Sequence, residues 1–190
     1  MKWILASASP RRKQLLSEIV QGFEIIPAQS EEKADNSLPP SELVIQLATA
    51  KAQEVATLPQ AKDKGVLGAD TIVVLDGEVL GKPKDEKDAE RMLTALSGKT
   101  HFVYTGVCLS VPTTGGRKCI TGVDATAVVF ENLTKEQIKE YIKTGSPMDK
   151  AGAYGIQDGG LVKEIKGSFT GVVGLPIELC KQLFHKAQEL

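Results

Sequence analysis

The chain is poor in histidine and cysteine, the side chains from which zinc sites and disulfide frameworks are built. Only His101 and His185 occur in 190 residues, and Cys108, Cys119 and Cys180 are odd in number, widely spaced and free of any CxxC pair. That leaves too few ligands for a His/Cys zinc site, so a bound metal is expected to be a hard cation held by carboxylates. The same cysteine usage predicts no disulfide framework and a reducing, cytoplasmic location. An excess of one charge is also missing. Lys+Arg 23 against Asp+Glu 24 leaves a net charge of -1. No bulk field therefore favours nucleic acid or an anionic membrane, and an anion must be bound by cations gathered locally. Long apolar runs are absent as well. None approaches the ~20 residues of a membrane span, and the short run at Trp3–Ala6 meets Arg11 and Arg12 too soon for a secretory signal.

What is present suits one domain over residues 1–190. Hydrophobic residues make up 42% and charged residues 25%, enough apolar material for a core. Repeats, low-complexity tracts and linker-like charge blocks are missing; Ser30 to Pro40 reads as an exposed loop. Trp3 to Ala6 reads as a short buried strand. Ser9-Pro10 starts a helix with a capping hydroxyl and a proline at the first position, and Gly22 ends it. Phe23 to Pro27 is a second strand, and Ser41 to Leu58 an amphipathic helix with Val44, Leu47, Ala48 and Val55 on one stripe. Val66 to Leu75 is a β-branched strand, turned by Asp76-Gly77 into Glu78 to Leu80. Asp85 caps a helix closed by Ser97-Gly98. His101 to Val111 and Lys118 to Phe130 are long strands joined through residues 112–116, and Thr134 with Gln137 forms a capping box. Gly145 to Ser168 is glycine-rich, with a hairpin expected around Asp158-Gly159-Gly160, and Pro176 opens a last helix. Strands and helices mix without strict alternation, which predicts an α/β fold with a mixed twisted sheet flanked by helices. The long hairpin is the candidate for a second lobe, with a cleft between lobes.

Several residues resist a purely structural explanation. Arg11 and Arg12 fall in the first helical turn, where cations oppose the helix dipole at roughly 0.3–1 kcal/mol. The free N–H groups of that turn and two guanidinium groups together make an anion site, although two solvated arginines explain the spacing equally well. Lys51 projects from the apolar stripe, being four residues from both Leu47 and Val55. It either snorkels past the core edge or reaches a cleft. Asp70 interrupts a buried apolar strand run, and an ionised carboxylate there is costly unless paired or metal-bound. Gly68 permits a bulge that would expose it. Gly81-Lys82-Pro83 follows the short hairpin, and adjacent Glu31 and Glu32 lie in the soft loop. In the segment Asp149 to Gln157 small residues allow close backbone approach to a ligand. Two arginines, two lysines and a few acids suit metal-assisted chemistry on a polyphosphate. The Walker sequence and the dinucleotide G-x-G-x-x-G are both missing.

These motifs, taken in order, resemble the Maf proteins, nucleoside triphosphate pyrophosphatases with a fold akin to the inosine triphosphatases. The likeness runs from Leu5-Ala6-Ser7-Ala8-Ser9-Pro10-Arg11-Arg12 through Gly68-Ala69-Asp70-Thr71 and Gly81-Lys82-Pro83 to Pro147-Met148-Asp149-Lys150-Ala151-Gly152-Ala153-Tyr154-Gly155-Ile156-Gln157. It implies hydrolysis between the α and β phosphates with a divalent cation, Mg²⁺ or Mn²⁺, and a central cleft between two lobes. On that resemblance Asp70 is the proton acceptor. Ser7, Arg12, Lys51 and Lys82 bind phosphate, and Glu32, Glu31 and Asp70 hold metal. Arg11, Thr71 and Gln157 match the dTTP/UTP branch; the 7-methyl-GTP branch has Trp at position 11. A homodimer and a link to septum formation follow from the same resemblance, the latter leaving a nucleotide-binding regulator as the rival reading. One departure is Ser146, where the family usually has Glu before Pro147.

Overall fold

The computed structural model describes residues 1–29, 35 and 37–190. Glu31 and Glu32 therefore lie outside the described residues. Among the described residues the chain builds one seven-stranded sheet of order β2-β1-β3-β5-β6-β7, with β4 paired to β3. Its strands are β1 (Trp3–Leu5), β2 (Phe23–Ile25), β3 (Gly65–Leu75), β4 (Glu78–Leu80), β5 (Thr100–Thr113), β6 (Gly116–Phe130) and β7 (Val162–Lys166). The helices are α1 (Pro10–Ser17), α2 (Pro40–Ala56), α3 (Glu86–Leu96), α4 (Lys135–Lys143), α5 (Phe169–Val173) and α6 (Ile177–Gln188). β1 runs parallel to β2 and β3, and the pairings from β3 through β7 are antiparallel, so the sheet is mixed. No helix among the described residues is long and apolar enough to cross a membrane.

The alternation of β3 sorts its side chains onto two faces. Val66, Gly68, Asp70, Ile72 and Val74 face α2. Val66 packs with Ala48, Ala52 and Val55, and Ile72 and Val74 pack with Leu43, Val44 and Leu47. The other face divides in two. Leu67 and Ala69 join a cluster with Leu15 and Leu16 of α1 and Cys180 and Leu183 of α6. Val73 and Leu75 join another with Leu93, Leu96, Ile138 and Tyr154. Thr71 falls between the two.

α2 reaches the sheet because two glycines admit its backbone. A Cβ on Gly68 would lie 2.2 Å from the Ala48 carbonyl oxygen, and one on Gly106 would lie 2.3 Å from that of Val44. The β3–β5 register runs unbroken from Val66 to Val74, so Gly68 makes no bulge. Its smallness serves the seat of a helix instead.

Four expectations are corrected. α1 stops at Ser17 and tightens through i→i−3 bonds such as Glu18 N to Leu15 O, with Gly22 at positive φ reversing the chain further on. The β5–β6 connection is two residues, since Thr113 already pairs with Gly116. That hairpin is the spine of the sheet, with β3 on one side and β7 on the other, and is not a lobe of its own. No hairpin forms around Asp158-Gly160. Gly159 and Gly160, both at positive φ, turn the chain so that β7 closes the open edge of β6. α5 escaped the periodicity because five residues do not complete two turns.

His101 is 1% exposed and shares a hydrogen bond between Nε2 and the Tyr154 hydroxyl (2.7 Å). Nδ1 has no partner among the described residues. Burial lowers the imidazole pKa from 6.5 to about 4. The unfolded chain binds the extra proton between those values, so stability is full above about pH 6.5 and falls as the pH drops toward 4, by up to about 3 kcal/mol. Urea unfolding at pH 7 and pH 4.5 should show a steeper loss for the wild type than for His101→Phe. In the same assay Gly106→Ala should lose about 1–3 kcal/mol by pushing α2 off the sheet. Gly115→Ala, in open space, should be close to neutral.

Candidate active site

β1 covers β3 only at Gly65–Leu67, and β4 covers it only at Val73–Leu75. Residues 68–72 of β3 therefore have no strand on that edge among the described residues. The chain leaving β1 (Ser7 to Arg12) and the chain leaving β4 (Gly81 and Lys82) flank this gap. A cleft of about 1100 Å³ opens there. Ligand sites of α/β sheets occur at such positions, beyond the carboxyl ends of parallel strands where the chain direction changes.

Asp70 lies in the gap, opposite Gly106 in the β3–β5 register. α2 covers it, and Lys51 Nζ donates to Asp70 Oδ1 at 2.5 Å. Both side chains are largely buried, 16% exposed for the lysine and 7% for the aspartate. Of the two readings of Lys51, the structure therefore selects the one that enters the cleft. The pair satisfies the requirement for a partner that a carboxylate in a buried strand carries.

On the opposite face of β3, Arg12 makes a three-way contact. Its Nε donates to Gly174 O (2.9 Å), Nη1 to Ser7 Oγ (3.3 Å) and Nη2 to Thr71 Oγ1 (3.1 Å). Thr105 Oγ1 donates to Gly171 O (2.8 Å), which uses its single proton. Thr71 must then donate across the strands to Thr105 (2.9 Å). The result is a polar belt from Arg12 to α5 that separates the two apolar clusters. α1 itself starts as the sequence suggests, with Ser9 Oγ accepting the Arg12 N–H.

Arg11, Lys82 and Gln157 line the same cleft. Arg11 Nη1 approaches Asp149 Oδ2 at 3.6 Å, so the ion pair joins α1 to the segment after α4. Lys82 is exposed at the rim and forms no ion pair among the described residues. Gln157 is exposed in a 3₁₀ turn, Ile156–Asp158. Seven of the expected site residues thus meet Asp70 around one cavity, and the two loop glutamates fall outside the described residues. Among the described residues no group of three or more His, Cys, Asp or Glu gathers to hold a metal.

Sequence reading missed the polar groups that organise the 146–158 segment. Lys150 Nζ donates to Asp149 Oδ1 (2.8 Å) and to Ser146 O (2.6 Å). Lys150 chiefly, with Arg11 helping, holds the Asp149 carboxyl below the usual range. Burial raises the Asp158 carboxyl, but hydrogen bonds from Ser146 and Tyr141 and the charges of Lys150 and Arg11 outweigh it, and its pKa is lowered. Tyr141 is pushed up, first by burial and then by its bond to Asp158, and remains a donor. No local signal marked Tyr141, which reads as part of the apolar face of α4; its partners lie 14 and 17 residues away.

The chain is similar in sequence to proteins of known activity. A dTTP/UTP pyrophosphatase of Desulfitobacterium hafniense (strain Y51) is 50% identical over 189 residues, covering 94% of this chain and 82% of that protein. One from Moorella thermoacetica is 49% identical, covering 96% of this chain and 93% of its own length. One from Thermococcus gammatolerans is 46% identical, covering 95% of this chain and 94% of its own length. The family described as Maf-like protein matches residues 2–187, and the chain belongs to that family.

Proposed function

We propose that the chain is a nucleoside triphosphate pyrophosphatase that cleaves dTTP and UTP between the α and β phosphates, giving the nucleoside monophosphate and pyrophosphate. The observation that carries this reading is the buried Lys51–Asp70 pair in the uncovered stretch of β3, in a cleft that Arg12 and Ser7 also line. Asp70 accepts the proton of the attacking water. Arg12, Lys51 and Lys82 bind the phosphates and offset the charge that builds on the leaving pyrophosphate. Thr71 acts through Arg12, because its hydroxyl is committed to the guanidinium and to Thr105. Arg11 and Gln157, at the cleft mouth, face the nucleoside end and supply the selectivity that goes with the relatives' dTTP/UTP activity.

The donor set fits a hard divalent cation. Mg²⁺ takes one or two protein carboxylates and completes its shell with phosphate oxygens and water, and Asp70 supplies one such carboxylate at the gap. In this reading Glu31 and Glu32 supply the rest, and Mg²⁺ or Mn²⁺ when bound polarises the phosphate oxygens. A homodimer, a cytoplasmic location and a tie to septum formation belong to the same proposal. Light scattering of the purified chain should give twice the chain mass; the monomer mass removes the dimer.

Asp70→Asn should lower turnover of dTTP and UTP at least about 100-fold, with nucleotide binding retained by calorimetry. Turnover of 7-methyl-GTP alone in the wild type would keep the reaction and discard the pyrimidine preference. Nucleotide binding with no turnover by the wild type would make the chain a nucleotide-binding regulator. Arg12→Lys keeps the charge but loses the planar fork, so kcat/KM for dTTP should fall about tenfold or more. An unchanged value would remove Arg12 from the phosphate site.

A further inference from the structure

One cluster beside the cleft has no assigned role. Tyr141 Oη, from α4, donates to Asp158 Oδ2 (2.6 Å) and accepts the Gly155 N–H (2.9 Å). A single phenol thus ties both ends of the Ile156-Gln157 dipeptide. Ser146 Oγ donates to the same Asp158 Oδ2 (2.6 Å), and Lys150 Nζ donates to Ser146 Oγ (2.9 Å). The fit is close at Gly155, where a Cβ would lie 2.8 Å from both Asp158 Oδ2 and Lys150 Cε.

The turn is closed by the Asp158 N–H to the Gly155 carbonyl and anchored inward by Ile156, which packs against both apolar clusters; the side-chain ties hold its outer side. None of its three residues is fully buried, and the Gln157 side chain makes no hydrogen bond among the described residues, so it is aimed only by its backbone. The residue before Pro147 is Ser146. The Asp158 carboxylate reaches back to that serine hydroxyl and places a negative charge beside it.

We propose that Asp158 is a positioning residue. Through Tyr141 and Ser146 its carboxylate sets the turn that presents Gln157 to the nucleobase, and because Ser146 Oγ touches that carboxylate an acid placed at 146 can supply the charge from the other side. The inference rests on the reading of Gln157 as a selectivity residue given under Proposed function.

The test is steady-state kinetics on UTP and CTP with Mg²⁺. Wild type is compared with Asp158→Ala, Tyr141→Phe, Gln157→Ala and the double variant Asp158→Ala/Ser146→Glu. Asp158→Ala and Tyr141→Phe should each raise KM for UTP about tenfold with kcat within about twofold, and narrow the preference for UTP over CTP. The added Ser146→Glu should recover most of that KM. Unchanged KM, a fall in kcat at constant KM, or no recovery in the double variant overturns the proposal. If Gln157→Ala raises KM and Asp158→Ala does not, this inference fails alone. If Gln157→Ala has no effect, the selectivity reading of Gln157 fails and takes this inference with it. Should Asp158→Ala not fold, Asp158→Asn carries the same test. It retains an oxygen acceptor, so a KM between those of wild type and Tyr141→Phe supports the proposal, and a wild-type KM overturns it.

Discussion

The seat of α2 on two glycines is the constraint from which the site follows. Gly68 precedes Asp70 on the same face of β3, and Gly106 stands directly across from Asp70 on β5. With no side chain at either position the helix backbone settles onto the strands. Asp70 is thereby covered by the helix on one side while still facing the cleft, and Lys51 is brought down to meet it. Neither group would hold its place alone. A lone carboxylate at this depth would be driven toward its neutral form or out of the strand, and removing one member of a buried pair costs more than the pair contributes.

The opposite face of β3 obeys a second constraint, the exclusion of polar groups from two apolar clusters. Thr71 sits at the boundary between them and is satisfied there by Arg12 and Thr105. The chain of donors ends on the carbonyls of α5, so the same bonds that satisfy Thr71 also anchor that short helix and orient the guanidinium. This explains why Arg12 occupies a first helical turn despite the dipole. Its side chain leaves the helix end and spends its donors on Gly174, Ser7 and Thr71, more than compensating a cost of roughly 0.3–1 kcal/mol.

The third wall of the cleft is built differently. It is a run of 3₁₀ turns held by side chains, with Lys150, Ser146, Tyr141 and Asp158 supplying bonds that a strand or long helix would supply from its own backbone. Beneath it, His101, Phe130 and Tyr154 pack edge to face, with centroids 4.7–5.3 Å apart. A floor of rings under a wall of polar ties keeps the segment fixed without regular secondary structure.

Local chemistry made much of this legible in the sequence. The caps at Ser9, Asp85 and Thr134, the Asp76-Gly77 turn and the β-branched run of β3 are decided by neighbours one to four residues apart, and each stands where the pattern put it. Asp70 was conspicuous because a charge inside a β-branched run has few bland explanations. Tertiary structure decided what depends on distant partners. Only the packing of α2 could show whether Lys51 snorkels or enters the cleft, and that Gly68 seats a helix instead of bending a strand. The pairing of β7 with β6 and the Tyr141–Asp158 tie were equally invisible, because hydrogen bonds across long separations leave no period in the sequence. The sequence by itself determined which residues are chemically out of place; the fold decided which of them meet.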